Sequence, residues 1–197
     1  MKEKDKILAK VLQAKKGDRK AFDFLIDYYY SKVCCYIDSI IRNYSVACEL
    51  TQDSFLTAYN NLHKLENAGV FKFWLLRIAR NKCLDYNKSP RRKEEASDQE
   101  LIIPHDGESR RLQITEIVKI VLNKLTLEEK ELILLIDYQE FTYQEAGEML
   151  GISGVNIKSK LHRARQRFIE EYSTLKVDFT GIINPKKFDP DGNNNVA

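Results

Sequence analysis

The stretch Thr142-Tyr-Gln-Glu-Ala-Gly-Glu-Met-Leu-Gly-Ile-Ser-Gly-Val-Asn-Ile-Lys-Ser-Lys-Leu-His-Arg-Ala-Arg-Gln-Arg-Phe168 decides the fold. Thr142 and Glu145 have capping-box spacing, in which each side chain satisfies a backbone N–H left open at a helix start. The short helix they open carries Ala146, Met149 and Leu150. Gly151 suits the left-handed backbone of a tight exit, and Ile152 would plug the corner that follows. Ser153 is placed to cap a longer helix with Val155, Ile157, Leu161, Ala164 and Phe168 inward. A short capped helix, a Gly turn and a longer helix are the parts of a helix-turn-helix.

The longer helix is unusual in its charge. From Gly154 to Ile169 it holds Lys158, Lys160, Arg163, Arg165 and Arg167, with no Asp or Glu. Like charges along one helix repel, so an ordinary surface helix mixes signs. Asn156, Ser159 and His162 are interleaved with the cations. Phosphate neutralisation together with base reading calls for this combination. A basic face that is merely solvated is the alternative, and the capped turn before the helix argues against it. Arg163 shares a broad face with Ser159 and Asn156, whereas Arg167 lies a turn further on, where phosphate or solvent is the expected contact.

Working outward, the rest of the chain is also helical in period. Ile114, Ile117, Val118, Val121, Leu122 and Leu125 form one apolar stripe. Thr126 and Glu129 make another capping box, opening a helix with Leu132, Ile133, Leu135 and Ile136. Near the N-terminus, Ile7, Leu8, Val11 and Leu12 mark a short helix that ends at Gly17, and Asp18 can cap the next. A long amphipathic helix runs from Ala21 to Ile41, with Phe22, Leu25, Ile26, Tyr29, Val33, Tyr36, Ile37, Ile40 and Ile41 in its stripe. Ser45 is the expected cap of a third helix with Leu50, Ser54, Phe55, Ala58, Tyr59 and Leu62 inward. A loop from Lys64 to Gly69 leads into a fourth helix near Val70. There Phe71, Trp74, Leu75, Ile78 and Ala79 share a face, so Trp74 reads as core.

The period stops between Lys88 and Arg110, where Pro90, Pro104 and blocks of like charge occur, as in a flexible linker. After Tyr172 it stops again, and the tail is expected to be disordered. The expected architecture is therefore all-α, in two small helical domains joined by a flexible linker, the C-terminal one a helix-turn-helix. Its bounds are 1–88 for the first domain, 89–111 for the linker, 112–173 for the second domain and 174–197 for the tail.

Composition agrees and excludes other classes. The 197 residues include only 8 Gly and 4 Pro, too few turn formers for a sandwich of short strands. The net charge of +3 is too small to argue for nucleic acid alone, so the distribution of charge carries that case. No apolar run has the length of a membrane span, and Met1-Lys-Glu-Lys-Asp-Lys6 lacks the features of a signal peptide. No membrane insertion and a cytoplasmic location are expected. Cys34, Cys35, Cys48 and Cys83 form no C-x-x-C pair and read as reduced, structural thiols. There is no Gly-rich phosphate loop, no H-E-x-x-H and no carboxylate pair beside a nucleophile. No catalytic residue, metal or cofactor is expected, and the chain is read as a binding protein and not an enzyme.

Two separated blocks resemble one family. Asp137 to Ser153, with Val155 and Lys158-Ser-Lys-Leu-His-Arg-Ala-Arg165, is similar to region 4 of sigma factors, with the extracytoplasmic-function (ECF) group of the sigma-70 superfamily the nearest in pattern. Asp18-Arg-Lys-Ala-Phe22, Glu49-Leu-Thr-Gln-Asp-Ser-Phe-Leu56 and Phe71 to Asp85 resemble region 2. The resemblance spans about residues 16–172, in family order. Two departures stand out. Ala146-Gly147 replaces an Ile-Ala-type pair, leaving one position of the first reader helix without a side chain, at roughly 1 kcal/mol relative to Ala. Ser153-Gly-Val-Asn156 replaces a more usual Ser-Val-Gly-Thr order.

The resemblance implies a protein that joins core RNA polymerase and directs it to promoter DNA. Region 4 would read the minus-thirty-five element through Asn156, Lys158, Ser159, Lys160, His162, Arg163 and Arg165. Region 2 would take the minus-ten element, with Asn67 in a loop that accepts a flipped base and Arg77, Arg80, Asn81 and Lys88 along phosphates. The third helix would dock on the clamp coiled coil of the polymerase largest subunit through Glu49, Gln52, Asp53 and Thr57, with Phe55 and Leu56 beside them. An anti-sigma factor is expected as a further partner. Two other readings remain open from sequence. A helix-turn-helix transcriptional regulator acting without stoichiometric polymerase binding would share the C-terminal reader but not need the region 2 blocks. An anti-sigma or adaptor protein that binds partners and not DNA would have no use for the acid-free helix.

Overall fold

The computed structural model describes residues 3–90 and 110–175. The regular elements among them are helical, with no strand. The chain divides into two compact units, Met1–Glu100 and Leu101–Ala197. The expected linker and tail lie almost wholly outside the described residues.

The first unit holds α1 (Glu3–Lys15), α2 (Arg19–Ile41), α3 (Tyr44–Asn61) and α4 (Phe71–Lys88). Asp18 caps α2, its side chain accepting from the Ala21 N–H at 3.2 Å. The stripe of α2 is buried at Phe22, Leu25, Tyr29, Val33, Tyr36, Ile37 and Ile40, against Leu50, Phe55 and Ala58 of α3 and Leu75, Leu76 and Ala79 of α4. α1 contributes less than its pattern promised. Val11 and Ala14 are buried, but Leu8 and Leu12 face solvent.

Three local expectations need correction. α3 is capped by Asn43, whose side chain accepts from the Val46 N–H at 3.1 Å, and Ser45 lies inside the helix. Trp74 is half-buried, its ring tilted on Phe71 at 6.1 Å, while Leu75, Leu76, Ala79 and Cys83 form the buried side of α4. The loop before α4 is two short 3-10 turns, Leu62–Lys64 and Ala68–Val70. Leu65 and Ala68 are buried within it, and the Lys15 ammonium donates to the Leu65 carbonyl.

The second unit holds α5 (Arg110–Lys124), α6 (Leu127–Ile133), α7 (Tyr143–Leu150) and α8 (Gly154–Thr174). The side chains of residues 110–116, including Ile114, are outside the described set; Val121, Leu122 and Leu125 are buried. The helix opened by Thr126 does not run straight to Ile136. It passes into a π turn over Leu134–Tyr138, closed by the Gln139 N–H donating to the Leu134 carbonyl at 2.9 Å. The widened turn buries both Leu134 and Leu135. Glu140 then takes a left-handed backbone at φ 58°, which redirects the chain into α7.

Candidate nucleic-acid interface

Both capping boxes form. Thr126 and Glu129 exchange their bonds at the start of α6, and Thr142 and Glu145 at the start of α7. α7 ends on Gly151 with φ 69°, in the left-handed region. Ser153 is the N-cap residue of α8, but its side chain makes no capping bond. The turn between the two helices is closed by the Ile152 N–H donating to the Gly147 carbonyl at 2.9 Å. Ile157, Leu161 and Ala164 are the buried side of α8. That packing fixes which side of α8 faces outward.

Val155 was expected inward and is not. It is 89% exposed. At about 100° per residue, positions 155 and 157 lie on opposite sides of the helix. Phe168 is half-buried, stacked on Tyr172 at 6.3 Å.

The five cations of α8 fall into two classes that the sequence did not separate. Lys160 pairs with Glu128 of α6 at 2.7 Å. Arg165 holds Asp137 with both ends of its fork, Nε at 3.1 Å from Oδ2 and Nη2 on Oδ1. Arg167 approaches Glu129 at 3.7 Å. With Lys124 on Glu171 at 2.9 Å, these pairs tie α8 to the helices behind it. Lys158 and Arg163 are exposed and, among the described residues, form no ion pair; Arg163 Nε donates to the Ser159 carbonyl at 3.4 Å. Asn156 and Ser159 are exposed and His162 is half-buried. Of the expected reading residues, Asn156, Lys158, Ser159 and Arg163 thus lie on open surface, with His162 half-buried among them. Lys160 and Arg165 are engaged by carboxylates at its edge.

In the first unit, Asn67 is exposed, and its side-chain oxygen accepts from the Gly69 N–H at 2.8 Å. Its amide nitrogen is the end left for another group. Arg77, Asn81 and Lys88 are exposed and, at spacings of four and seven, share one line along α4. Arg80 sits beside that line, half-buried, and acidic Asp85 lies on its other flank.

On α3, Glu49, Gln52, Asp53 and Leu56 recur at helical spacing along one exposed stripe, with Leu56 59% exposed. Phe55 is buried, as its place in the inward stripe of α3 expects, at 4% exposed and stacked against Tyr30 at 6.3 Å. It floors an open groove of about 480 Å³ between α2 and α3, walled by Phe22, Ile26, Tyr30, Leu56 and Tyr59. Sequence reasoning placed Ile26 in the buried stripe of α2 and did not single out Tyr30; both are half-buried and line the groove.

Residues 117–168 match the family described as Sigma-70, region 4, and residues 25–93 match Sigma-70 region 2. Together the two matches cover more than half of the chain. The chain is 28% identical over 155 residues to the ECF RNA polymerase sigma factor SigM of Bacillus subtilis, covering 77% of this chain and 94% of that protein. It is 26% identical over 184 residues to ECF RNA polymerase sigma factor SigW of the same organism, covering 86% and 98%. Among solved structures, the sigma factor RpoE of Bartonella quintana, in complex with the anti-sigma factor NepR, is similar with a TM-score of 0.65 and 28% identity, over 81% of this chain and 99% of that one.

Proposed function

The chain belongs to the sigma-70 family, as a member of its ECF group, and from that premise we propose that it joins core RNA polymerase and directs it to promoters. The observation that carries the reading is the pairing of two family blocks in order, the second ending in a helix whose open face presents Lys158 and Arg163 beside Asn156 and Ser159.

The work divides between the units. α8 lies in the major groove of the minus-thirty-five duplex, with its packed side turned to α6 and α7. Arg163 can place its planar fork on a guanine edge, while Lys158 offers a point charge to O6 and N7 or to phosphate. The pairs Lys160–Glu128, Arg165–Asp137 and Arg167–Glu129 set the tilt of the helix and present less net charge to the duplex. In the first unit, the amide nitrogen of Asn67 meets an unstacked base of the minus-ten strand, and Arg77, Asn81 and Lys88 follow its phosphates. The stripe Glu49, Gln52, Asp53 and Leu56, with the apolar groove beside it, receives the clamp coiled coil of the polymerase. Phe55 acts there as the groove floor.

Polymerase performs the chemistry, so the chain is a binding and positioning factor and not an enzyme, working where the polymerase is, in the cytoplasm. Among the described residues no helix is long and apolar enough to cross a membrane. An anti-sigma factor is a further partner of this reading, on the precedent of the Bartonella quintana complex.

Transcription in vitro with core polymerase on a library of genomic fragments tests the function directly. Start sites that appear only when the chain is added, and that share two spaced elements, support it. A chain that binds DNA but neither co-purifies with core polymerase nor changes its start sites is a helix-turn-helix regulator instead.

A further inference from the structure

Val155 is the most exposed of the large apolar side chains described, at 89%. A single exposed valine on an ordinary surface needs no explanation. Its place on α8 is what gives it meaning. Val155, Ser159, His162 and Gln166 stand at spacings of four, seven and eleven, which is one straight stripe on an α-helix. That stripe is opposite the packed residues Ile157, Leu161 and Ala164, and it is flanked by the exposed cations Lys158 and Arg163. The valine is therefore at the centre of the cationic face, in the first turn, where recognition helices touch base edges.

Nothing in the fold asks for a valine there. A β-branched side chain is a poor helix former, and this one buries almost nothing within the domain. The major groove offers one prominent apolar feature on a base edge, the C5 methyl of thymine. An aliphatic group carried into the groove by a cationic helix finds its matching surface on that methyl, and any other base in its place leaves the valine against polar groups.

We propose that Val155 is a specificity-determining residue that selects a thymine in the duplex element by contact with its C5 methyl. The inference rests on the reading of α8 as the minus-thirty-five reader, and deepens it.

Deoxyuridine differs from thymidine only by lacking that methyl, so it isolates the contact. The full chain, assembled with core polymerase, is bound to a promoter recovered from the library experiment. Each thymine of the upstream element, on either strand, is replaced by deoxyuridine one position at a time. One position should lower the affinity of the wild-type chain about fourfold, the effect of burying one methyl-sized group. Val155→Ala should lose a similar factor on the thymine promoter and be indifferent to deoxyuridine there. Val155→Thr, which keeps one γ-methyl, should retain part of the discrimination. An unchanged circular dichroism spectrum confirms that the variants are folded. If no position responds, or if Val155→Ala discriminates thymine from uracil as the wild type does, the contact does not exist. If the assembled protein selects no upstream duplex element at all, the reading of α8 fails together with it, and that result is distinct from selection without methyl dependence.

Discussion

A β carbon built on Gly147 would stand 2.7 Å from the carbonyl oxygen of Ile152, and 3.4 Å from the Cδ1 of Ile157. The same two residues are joined by the hydrogen bond from the Ile152 N–H to the Gly147 carbonyl. From sequence, Gly147 was only a missing side chain in the first reader helix. In the structure the turn of the helix-turn-helix passes Gly147 closely enough to leave no room for a side chain.

This fixes the sign of one substitution. Helix propensity alone would make Gly147→Ala stabilising by about 1 kcal/mol. The obstructing atom is backbone, so the turn must shift, and overpacking of that kind costs roughly 1–3 kcal/mol. We expect Gly147→Ala to be destabilising on balance and to weaken duplex binding, because α8 leaves from that turn. Urea unfolding followed by circular dichroism measures the first effect. An increase in the unfolding midpoint would show that the turn yields easily.

The helix-turn-helix was legible because its signals are local. Thr142 with Glu145 and the left-handed Gly151 each act within one turn of backbone. The cap of α3 was not, because Asn43 and Ser45 are both good caps two residues apart, and only the packing of Val46 and Ala47 decides between them. The π turn after Ile133 was invisible for a related reason: Leu134 and Leu135 are both buried, and an apolar run does not say how the backbone winds to bury it. The ion pairs of α8 join residues far apart in the chain, such as Lys160 with Glu128, 32 positions away, and no helical period relates them. Val155 is a different case. Its angle from Ile157 was available from sequence, and counting apolar residues without that angle put it on the wrong side.

The Glu129 carboxyl gives a pH dependence. Burial alone would raise its pKa, but the backbone N–H and hydroxyl of Thr126, with the cations Arg167 and Arg163, outweigh it and hold the group below its ordinary value of 4.5. The unfolded chain therefore takes up this proton first as pH falls. The contribution of Glu129 to stability is complete above the ordinary carboxylate range and is lost as pH drops through the folded value. Glu129→Gln should lower the stability of the second unit at neutral pH, and the difference from wild type should shrink below about pH 4.5. Unfolding curves at several pH values check this; a difference that grows on acidification would contradict it.

The cysteines should differ in reactivity. Cys34 is buried and its thiol is pushed up to about 11, by burial first and then by its contact with Cys48. Cys83 has no exposed surface. Since the thiolate is the reactive form, iodoacetamide at pH 8 should label Cys35 and Cys48 before Cys34 and Cys83. Peptide mapping over time gives the order. Loss of transcription on chelation, restored by zinc, would show instead that thiols in this chain serve a metal.

Asp53 lies on the exposed stripe of α3 with Glu49, Gln52 and Leu56. Asp53→Arg reverses a charge there without touching the buried side of the helix. It should weaken association with core polymerase by tenfold or more, as when a like charge is brought against an interface built for the opposite one. A pull-down with core polymerase measures it, alongside a circular dichroism spectrum. Unchanged affinity with a native spectrum would remove Asp53 from the docking surface.

The cations of α8 should separate by their partners. Among the described residues Arg163 has no acidic group within ion-pair distance, although the Glu129 carboxyl feels its charge, and it lies on the open face. Arg163→Ala should therefore cost on the order of 1–3 kcal/mol at the preferred minus-thirty-five sequence and flatten the preference at one or two positions. Lys158→Ala should also weaken binding and reduce the salt dependence by about one phosphate. Arg167 is partly matched by Glu129 at 3.7 Å, so Arg167→Ala should weaken all sequences alike, with a change in salt dependence no larger than one phosphate. Lys160 and Arg165 are held more closely by Glu128 and Asp137. Their alanine variants should lower the stability of the unit, with little change in sequence preference. Competitive binding to a randomised minus-thirty-five pool at two salt concentrations separates the classes. Equal, sequence-blind losses for Arg163→Ala and Arg167→Ala would mean that the open face is only an electrostatic patch, with base recognition elsewhere on α8.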